Sequence, residues 1–139
     1  MNEIEKLLPH RGSFLFVDKI LSASRREIIG TKTFDGSNAF LRGSFPDHNY
    51  VPGMILIESM AQCGGAGIRK LGLASGIFAL VSIKDAKFLK GVNYDMPVTY
   101  KIKNVKVGEK LISQSGIILF DNETAVEASW MSLKMEPIS

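Results

Sequence analysis

Apolar and polar residues alternate along several stretches of this chain, a pattern that predicts β-strands with one solvated face. The clearest case is residues 98–103, which read Val-Thr-Tyr-Lys-Ile-Lys. Two more apolar stretches, 111–120 and 124–135, are separated by Asp121 and Asn122, which predicts a hairpin with a tight turn. The remaining predicted strands are residues 14–21, 27–34, 77–84 and 87–89, the last two flanking a bend.

One long helix is predicted from about residue 52 to about residue 71, with Gly72 as its C-terminal cap. Its residues are apolar on nearly every side, which is typical of a buried helix. Gly64, Gly65 and Gly67 lie inside it, although each glycine costs about 1 kcal/mol relative to alanine in a helix. We therefore expect another element to pack very close to this helix.

The order of elements predicts an α+β fold, with one long helix among five or six strands. The length of 139 residues suits a single domain over residues 1–139. A short helix is predicted at residues 2–8, ended by Pro9. Residues 35–51 form a loop in this prediction, and a loop of that length is often functional.

The apolar helix contains one carboxylate, Glu58. An ionised carboxylate in apolar surroundings costs free energy unless a partner compensates it. Gln62 follows on the same helix face and is a suitable donor, which is the structural interpretation of Glu58. The functional interpretation is that Glu58, on a helix that starts at Gly53, is a catalytic acid.

Charge and composition exclude several classes of function. The net charge of +3 is modest, and no run of lysine or arginine exceeds two residues, so nucleic-acid binding is not indicated. No apolar run approaches the ~20 residues that span a bilayer. The single cysteine, Cys63, excludes an internal disulfide and fits a core position. With a start of mixed charge, the chain is expected to be cytosolic.

A longer motif surrounds Glu58. Residues 43–62 include Phe45-Pro46, then Pro52-Gly53, then Glu58 followed by Ala61-Gln62; residues 7–11 read Leu-Leu-Pro-His-Arg. Together with Phe-Leu-Phe-Val-Asp at 14–18, this motif resembles the 3-hydroxyacyl-acyl carrier protein dehydratases of fatty acid synthesis. The resemblance covers essentially the whole chain, and it implies a hotdog fold, an antiparallel sheet wrapped around a central helix.

The resemblance also implies a mechanism. Dehydration of a 3-hydroxyacyl thioester needs a base for the proton on the carbon next to the carbonyl, an acid for the departing hydroxyl, and a donor to the carbonyl oxygen. In the family, a histidine is the base, the helix carboxylate serves the hydroxyl, and a backbone N–H at the helix start holds the carbonyl. Glu58 and Gly53 occupy the last two positions in this chain.

The histidine is the exception, because Ser44 stands where the family has it, directly before Phe45-Pro46. A serine hydroxyl is not a useful base at neutral pH. His48 is a possible substitute base, although a loop-anchoring role is the alternative. His10 matches a histidine that recurs in the family without a chemical role, and we interpret it as structural.

The resemblance further implies partners. Lys84, Lys87 and Lys90 are candidates for receiving an acidic acyl carrier protein, and the alternative is an ordinary solvated face. No cofactor or metal is expected, because the substrate is carried on the phosphopantetheine of acyl carrier protein or on coenzyme A. The family active site lies at a dimer interface, so a homodimer, a higher oligomer or a heterodimer with a homologous dehydratase is expected.

Three functions follow from these residues. The first is binding of 3-hydroxyacyl or enoyl thioesters in a dehydration step, with a degenerate site. The second is a non-catalytic subunit that lends Glu58 to a histidine-bearing dehydratase. The third is a hotdog acyl-thioesterase that uses Glu58.

Overall fold

The computed structural model describes residues 1–136, so residues 137–139 of the predicted domain lie outside it. It contains one six-stranded sheet and one long helix, which confirms the α+β prediction. The helices are α1 (Glu3–Leu7), α2 (Ala39–Arg42) and α3 (Gly53–Lys70), with a 3₁₀ turn at Gly12–Phe14. The strands are β1 (Lys19–Ala23), β2 (Glu27–Thr33), β3 (Phe78–Phe88), β4 (Pro97–Val107), β5 (Leu111–Phe120) and β6 (Glu123–Lys134).

The strands lie in the order β1-β2-β4-β5-β6-β3, and every neighbouring pair is antiparallel. The predicted hairpin between β5 and β6 is confirmed. Its turn residues Asp121 and Asn122 both have positive φ, 52° and 62°, the conformation that short hairpin turns require. Strands β1 and β3 form the two edges of the sheet.

Helix α3 packs into the concave face of the sheet, where Ile57, Met60 and Cys63 are fully buried. The expected close approach occurs at two of the three glycines. A Cβ at Gly67 would stand 2.5 Å from Ile28 of β2, and Gly64 meets a side chain of β5 in the same way. This wrapping of the sheet around the helix is the arrangement that the resemblance implied.

The N-terminal segment covers one side of α3. Asn2 and Glu5 form a capping box at the start of α1, which satisfies free N–H groups of the first turn. The Tyr100 hydroxyl of β4 donates to the Phe16 carbonyl (3.0 Å), which ties the chain after the 3₁₀ turn to the sheet. Burial raises the pKa of Tyr100 well above its ordinary value, so this hydroxyl stays a donor.

Three predicted boundaries are wrong. Strand β1 begins at Lys19, because residues 12–14 form a 3₁₀ turn. The loop 35–51 contains the single turn α2, which Asn38 caps by accepting from the Leu41 N–H (3.2 Å). Strand β3 is continuous, and the predicted bend is replaced by register shifts between Leu80 and Ser82 and between Ile83 and Asp85. Such bulges bend a strand without ending it.

Candidate active site

One face of α3 borders an open cavity of about 500 Å³. The helix contributes Glu58, Ala61, Gly65 and Arg69, which recur every three or four residues and so share a face. The opposite wall comes from the chain around α1 and from the start of β3. Apolar side chains make up most of the lining, among them Leu8, Ile68, Phe78, Leu80 and Ile112. The helix is therefore not buried on all sides, contrary to the prediction.

Glu58 lies in the wall of this cavity, with 26% of its side chain exposed. Its Oε2 accepts a hydrogen bond from Gln62 Nε2 at 3.0 Å. Among residues 1–136, no donor reaches its other oxygen, Oε1. The carboxylate thus has one oxygen held in place and one free for a ligand in the cavity.

Gln62 holds the carboxylate because its own position is fixed. The Phe16 N–H donates to Gln62 Oε1 (2.8 Å), and Gln62 Nε2 also donates to the Phe14 carbonyl (3.0 Å). These two contacts determine which end of the amide faces Glu58. The donor predicted from helix spacing is therefore confirmed, and it also joins α3 to the segment after α1.

His10 lies in the same cavity wall, which the sequence analysis did not foresee. Its Nε2 is 3.9 Å from Glu58 Oε2, and its ring stacks on Phe14 with centroids 6.2 Å apart. Burial lowers the pKa of His10, opposed by the charge of Glu58 and assisted by Arg11. The one sequence signal was its place in the motif, directly after Leu7-Leu8-Pro9.

Ser44 and His48 lie elsewhere within the chain. Both are exposed in the segment after α2, and neither is among the residues that line the cavity. The His48 ring stacks on Tyr50 with centroids 6.5 Å apart, as a loop-anchoring side chain would. The backbone N–H of His48 donates to the Phe45 carbonyl (3.0 Å). The structure of one chain does not bring Ser44 or His48 to Glu58, so their roles in chemistry remain predictions.

Gly53 is the first residue of α3, as expected for the predicted carbonyl donor. The ring of Phe88, at the end of β3, covers it so closely that a Cβ there would stand 2.9 Å from the ring. A larger residue at this helix start would therefore have to displace the Phe88 ring. Gly53 does not line the cavity that contains Glu58, and its role in binding a carbonyl remains a prediction.

The three candidate carrier-binding lysines differ in their surroundings. Lys90 pairs with Glu123 (3.2 Å) and lies over the Phe120 ring, 5.5 Å from its centroid. Lys84 and Lys87 are exposed on β3. Lys90 is therefore partly neutralised, and carrier binding by all three lysines remains a prediction.

Comparison with known proteins identifies the family. Residues 8–129 match the FabA-like domain. A 3-hydroxyacyl-[acyl-carrier-protein] dehydratase FabZ from Hydrogenobaculum sp. is 32% identical over 138 residues, covering 96% of this chain and 93% of the relative. The FabZ protein of Fusobacterium nucleatum is 33% identical over 130 residues, 92% of each chain. The chain belongs to the FabA-like family of 3-hydroxyacyl-acyl carrier protein dehydratases.

Solved structures confirm the hotdog fold of this FabA-like protein. The dehydratase heterocomplex ApeI:P from Xenorhabdus doucetiae superposes with a TM-score of 0.79 at 16% identity, covering 98% of this chain and 93% of that one. A hypothetical thioesterase with coenzyme A from Streptococcus pneumoniae gives a TM-score of 0.64 at 14% identity, covering 99% and 94%. At these identities the likeness concerns the fold alone.

Two features are absent from residues 1–136. No helix there is both long and apolar enough to cross a membrane. In the same part of the chain, no group of three or more histidine, cysteine, aspartate or glutamate side chains is placed to hold a metal ion. Cys63 is buried, and burial raises the pKa of its thiol far above the ordinary range, as expected for a core residue.

Proposed function

We propose that this FabA-like protein binds 3-hydroxyacyl or enoyl thioesters carried by acyl carrier protein, and takes part in a dehydration step of fatty acid or related acyl-chain synthesis. The observation that carries the proposal is Glu58 in the wall of an apolar cavity, with Oε2 held by Gln62 and Oε1 free. The cavity accommodates an acyl chain, and the free oxygen meets the polar end of the substrate.

Glu58 serves the departing hydroxyl in this proposal. Dehydration removes a proton from the carbon next to the carbonyl and hydroxide from the following carbon, which leaves as water once it is protonated. Gln62 keeps the carboxyl group in one orientation, and positioning of this kind lowers the barrier of a reaction. An N–H at a helix start, where N–H groups have no partner within the helix, binds the thioester carbonyl. Because Gly53 lies apart from the cavity of Glu58 within one chain, this N–H comes from the position of Gly53 in a second chain.

The site lacks the family's base, because Ser44 replaces the histidine. We propose that a second chain completes the site. Two observations support this proposal: Ser44 and Gly53 lie apart from the cavity of Glu58 within one chain, and the ApeI:P dehydratase is a complex of two different chains. A histidine-bearing homologue would supply the base, and this chain would supply Glu58.

A hydration assay tests the proposal. Purified protein is incubated with a trans-2-enoyl thioester, alone and with a histidine-bearing homologue, and the loss of the conjugated double bond is followed. Glu58→Gln should lower turnover by about 10²-fold or more, the usual contribution of a positioned acid or base. Glu127→Gln, on the outer face of β6, is the matched control and should leave turnover unchanged.

Three results would contradict parts of this proposal. Full turnover by Glu58→Gln would remove Glu58 from the site. Brisk hydration by the wild-type chain alone would show that the chain has its own base. Rapid release of free thiol without hydration would favour the thioesterase alternative, for which the coenzyme A-bound neighbour provides a fold precedent only.

A further inference from the structure

A buried amide, Gln114 of β5, borders the same cavity. It is one of three buried polar residues in the part of the chain that the structure describes, with 2% of its surface exposed. The other two, Ser59 and Gln62, use their polar atoms on neighbouring backbone and on Glu58. Gln114 uses only one end of its amide, because its single hydrogen bond is from Nε2 to Asn104 Oδ1 at 2.9 Å.

The hydrogen bonds of Asn104 fix the orientation of the Gln114 amide. Asn104 Nδ2 donates to the carbonyls of Ser24 (3.2 Å) and Arg25 (3.0 Å), so its Oδ1 is the end that faces Gln114. Because Asn104 Oδ1 can only accept a hydrogen bond, the Gln114 atom that faces it is the donor Nε2. The Gln114 Oε1 therefore points the other way, towards α3.

No donor within residues 1–136 satisfies that oxygen. The cross-strand neighbour Trp130 has a buried Nε1–H, but this group makes no hydrogen bond either. On the helix side stands Gly64, where a Cβ would overlap the Gln114 oxygen and lie 2.7 Å from the amide carbon. Unlike Trp130 Nε1, this oxygen is not sealed from the cavity, so a ligand bound there can reach it and donate to it.

The position of this acceptor relative to Glu58 follows from helix geometry. Gly64 lies six residues after Glu58, which is about 9 Å along the axis at ~1.5 Å per residue and about a third of a turn around it at ~3.6 residues per turn. Apolar side chains such as Leu8, Ile68 and Ile112 line the cavity along this stretch. Gln114 is thus a polar group far from the reacting end of an acyl chain bound with its thioester end at Glu58.

We propose that Gln114 selects an acyl chain with a hydroxyl group on its distal part. The substrate hydroxyl donates to Gln114 Oε1. Ser132 of β6, which borders the same cavity two register positions away from the Trp130–Gln114 pair, donates to the hydroxyl oxygen. This inference rests on the proposed function, because it assumes that an acyl thioester occupies the cavity.

The distance along α3 gives the length of a suitable probe. An extended chain advances roughly 1.3 Å per bond for carbon–carbon bonds of ~1.5 Å, so about 9 Å corresponds to roughly seven bonds beyond carbon 3. The probes are therefore 10-hydroxydecanoyl-pantetheine and decanoyl-pantetheine. Their dissociation constants are measured by calorimetry, so the test does not depend on turnover.

Wild-type protein should bind the hydroxylated probe about tenfold more tightly, the upper range for one neutral hydrogen bond in a buried site. Gln114→Leu, which is similar in size and apolar, should abolish or reverse this preference. Gln114→Met is the second variant in case the leucine disturbs folding. Ser115→Ala, on the same strand but facing the outer groove, should retain the wild-type preference.

Each other outcome overturns a defined part of the inference. Equal binding of the two probes, or tighter binding of decanoyl-pantetheine, rejects the hydroxylated substrate and leaves the proposed function in place; the acceptor is then occupied by water. A preference that survives both Gln114 substitutions rejects Gln114 as its cause. Failure of both probes to bind wild-type protein rejects the acyl-thioester cavity itself.

Discussion

At the scale of single residues, Ser44 decides whether this chain can catalyse dehydration by itself. We predict that Ser44→His raises the rate of enoyl thioester hydration by the homodimer at least about tenfold, but by less than the ~10²–10⁴-fold of a well-placed base. The gain should be incomplete because Asp47, His48 and Asn49 are not shaped around an imidazole, and small misplacements are costly. Initial rates across pH 6–9 measure the effect.

The control for this substitution is Ser44→Ala, which should leave the rate at its basal level. His48→Ala should also leave it there, because His48 anchors the loop in this structure by stacking on Tyr50. A wild-type rate that collapses in His48→Ala would contradict the prediction and identify His48 as the base. No gain in Ser44→His would mean that the pocket has diverged from the dehydratases.

His10 gives a prediction on stability. Burial lowers its pKa in the folded chain, so the unfolded chain binds the proton more readily. The direction of the pH dependence follows from this difference. The stabilisation associated with neutral His10 is fully present above the ordinary histidine pKa of 6.5, and it is lost as pH falls through the lower pKa of the folded chain. Thermal unfolding of wild type and His10→Gln at pH 8, 7, 6 and 5 should show wild type losing relative stability below about pH 6.5.

The opposite pH trend, or no difference in trend, would show that contact with Glu58 outweighs burial at His10. His10 Nε2 and Glu58 Oε2 are 3.9 Å apart, and the two side chains are 27% and 26% exposed, so the result measures which environment governs the imidazole. Arg11 is the remaining charge beside it, and it disfavours protonation.

The sequence predicted some site residues and not others for physical reasons. The pair of Glu58 and Gln62 is four residues apart on one helix, so local geometry alone brings the two together. His10 and Gln114 reach the cavity only through the packing of distant segments. No periodicity in their own segments indicates which neighbours they meet, and Gln114 therefore escaped the sequence analysis.

At the scale of elements, the glycines of α3 differ in what surrounds them. Gly64 and Gly67 are pressed against β5 and β2 side chains, whereas a Cβ at Gly65 would meet only Leu8 at 4.0 Å. We predict that Gly65→Ala stabilises the protein by up to about 1 kcal/mol through helix propensity. Gly64→Ala, its matched neighbour, should destabilise by about 1–3 kcal/mol through overpacking. Urea unfolding measures both.

Similar destabilisation by both alanine substitutions would show that the cavity beside Gly65 is closed in solution. The sequence could not distinguish these glycines, because all three carried the same propensity penalty. The sequence could not show that β3 is one strand either, because its bulges interrupt the alternation of apolar and polar residues as the end of a strand would. Its pairing with β6 keeps it a single strand.

At the scale of the whole molecule, class and topology followed from patterns that extend over many residues. The hairpin of β5 and β6, the long α3 and the α+β class rest on periodicity and turn residues, and all are confirmed. Assembly does not follow from one chain in this way. It concerns surface that the chain leaves exposed, and the surface of β3 is the clearest case.

Strand β3 forms an edge of the sheet over eleven residues, Phe78–Phe88. Exposed apolar side chains, including Val81 and Phe88, lie along it, with Leu89 just beyond its end. Such a long apolar edge pairs readily with another strand unless it is covered. We predict that the purified protein is a dimer or a larger assembly that contains β3, with at least twice the chain mass of 15.3 kDa.

Light scattering with two matched variants tests this assembly. Val81→Lys places a charge on the β3 edge, where lysine opposes strand pairing, and should shift the mass towards the single chain. Leu21→Lys makes the same change on β1, the opposite edge, where the side chain is similarly exposed, 59% against 52% for Val81; it should leave the assembly intact. A monomeric wild type would overturn the prediction for the chain alone. If that monomer gains hydration activity only when it is mixed with a histidine-bearing homologue, β3 is instead the surface that binds the unlike subunit. Val81→Lys should then abolish the gain in activity, and Leu21→Lys should preserve it.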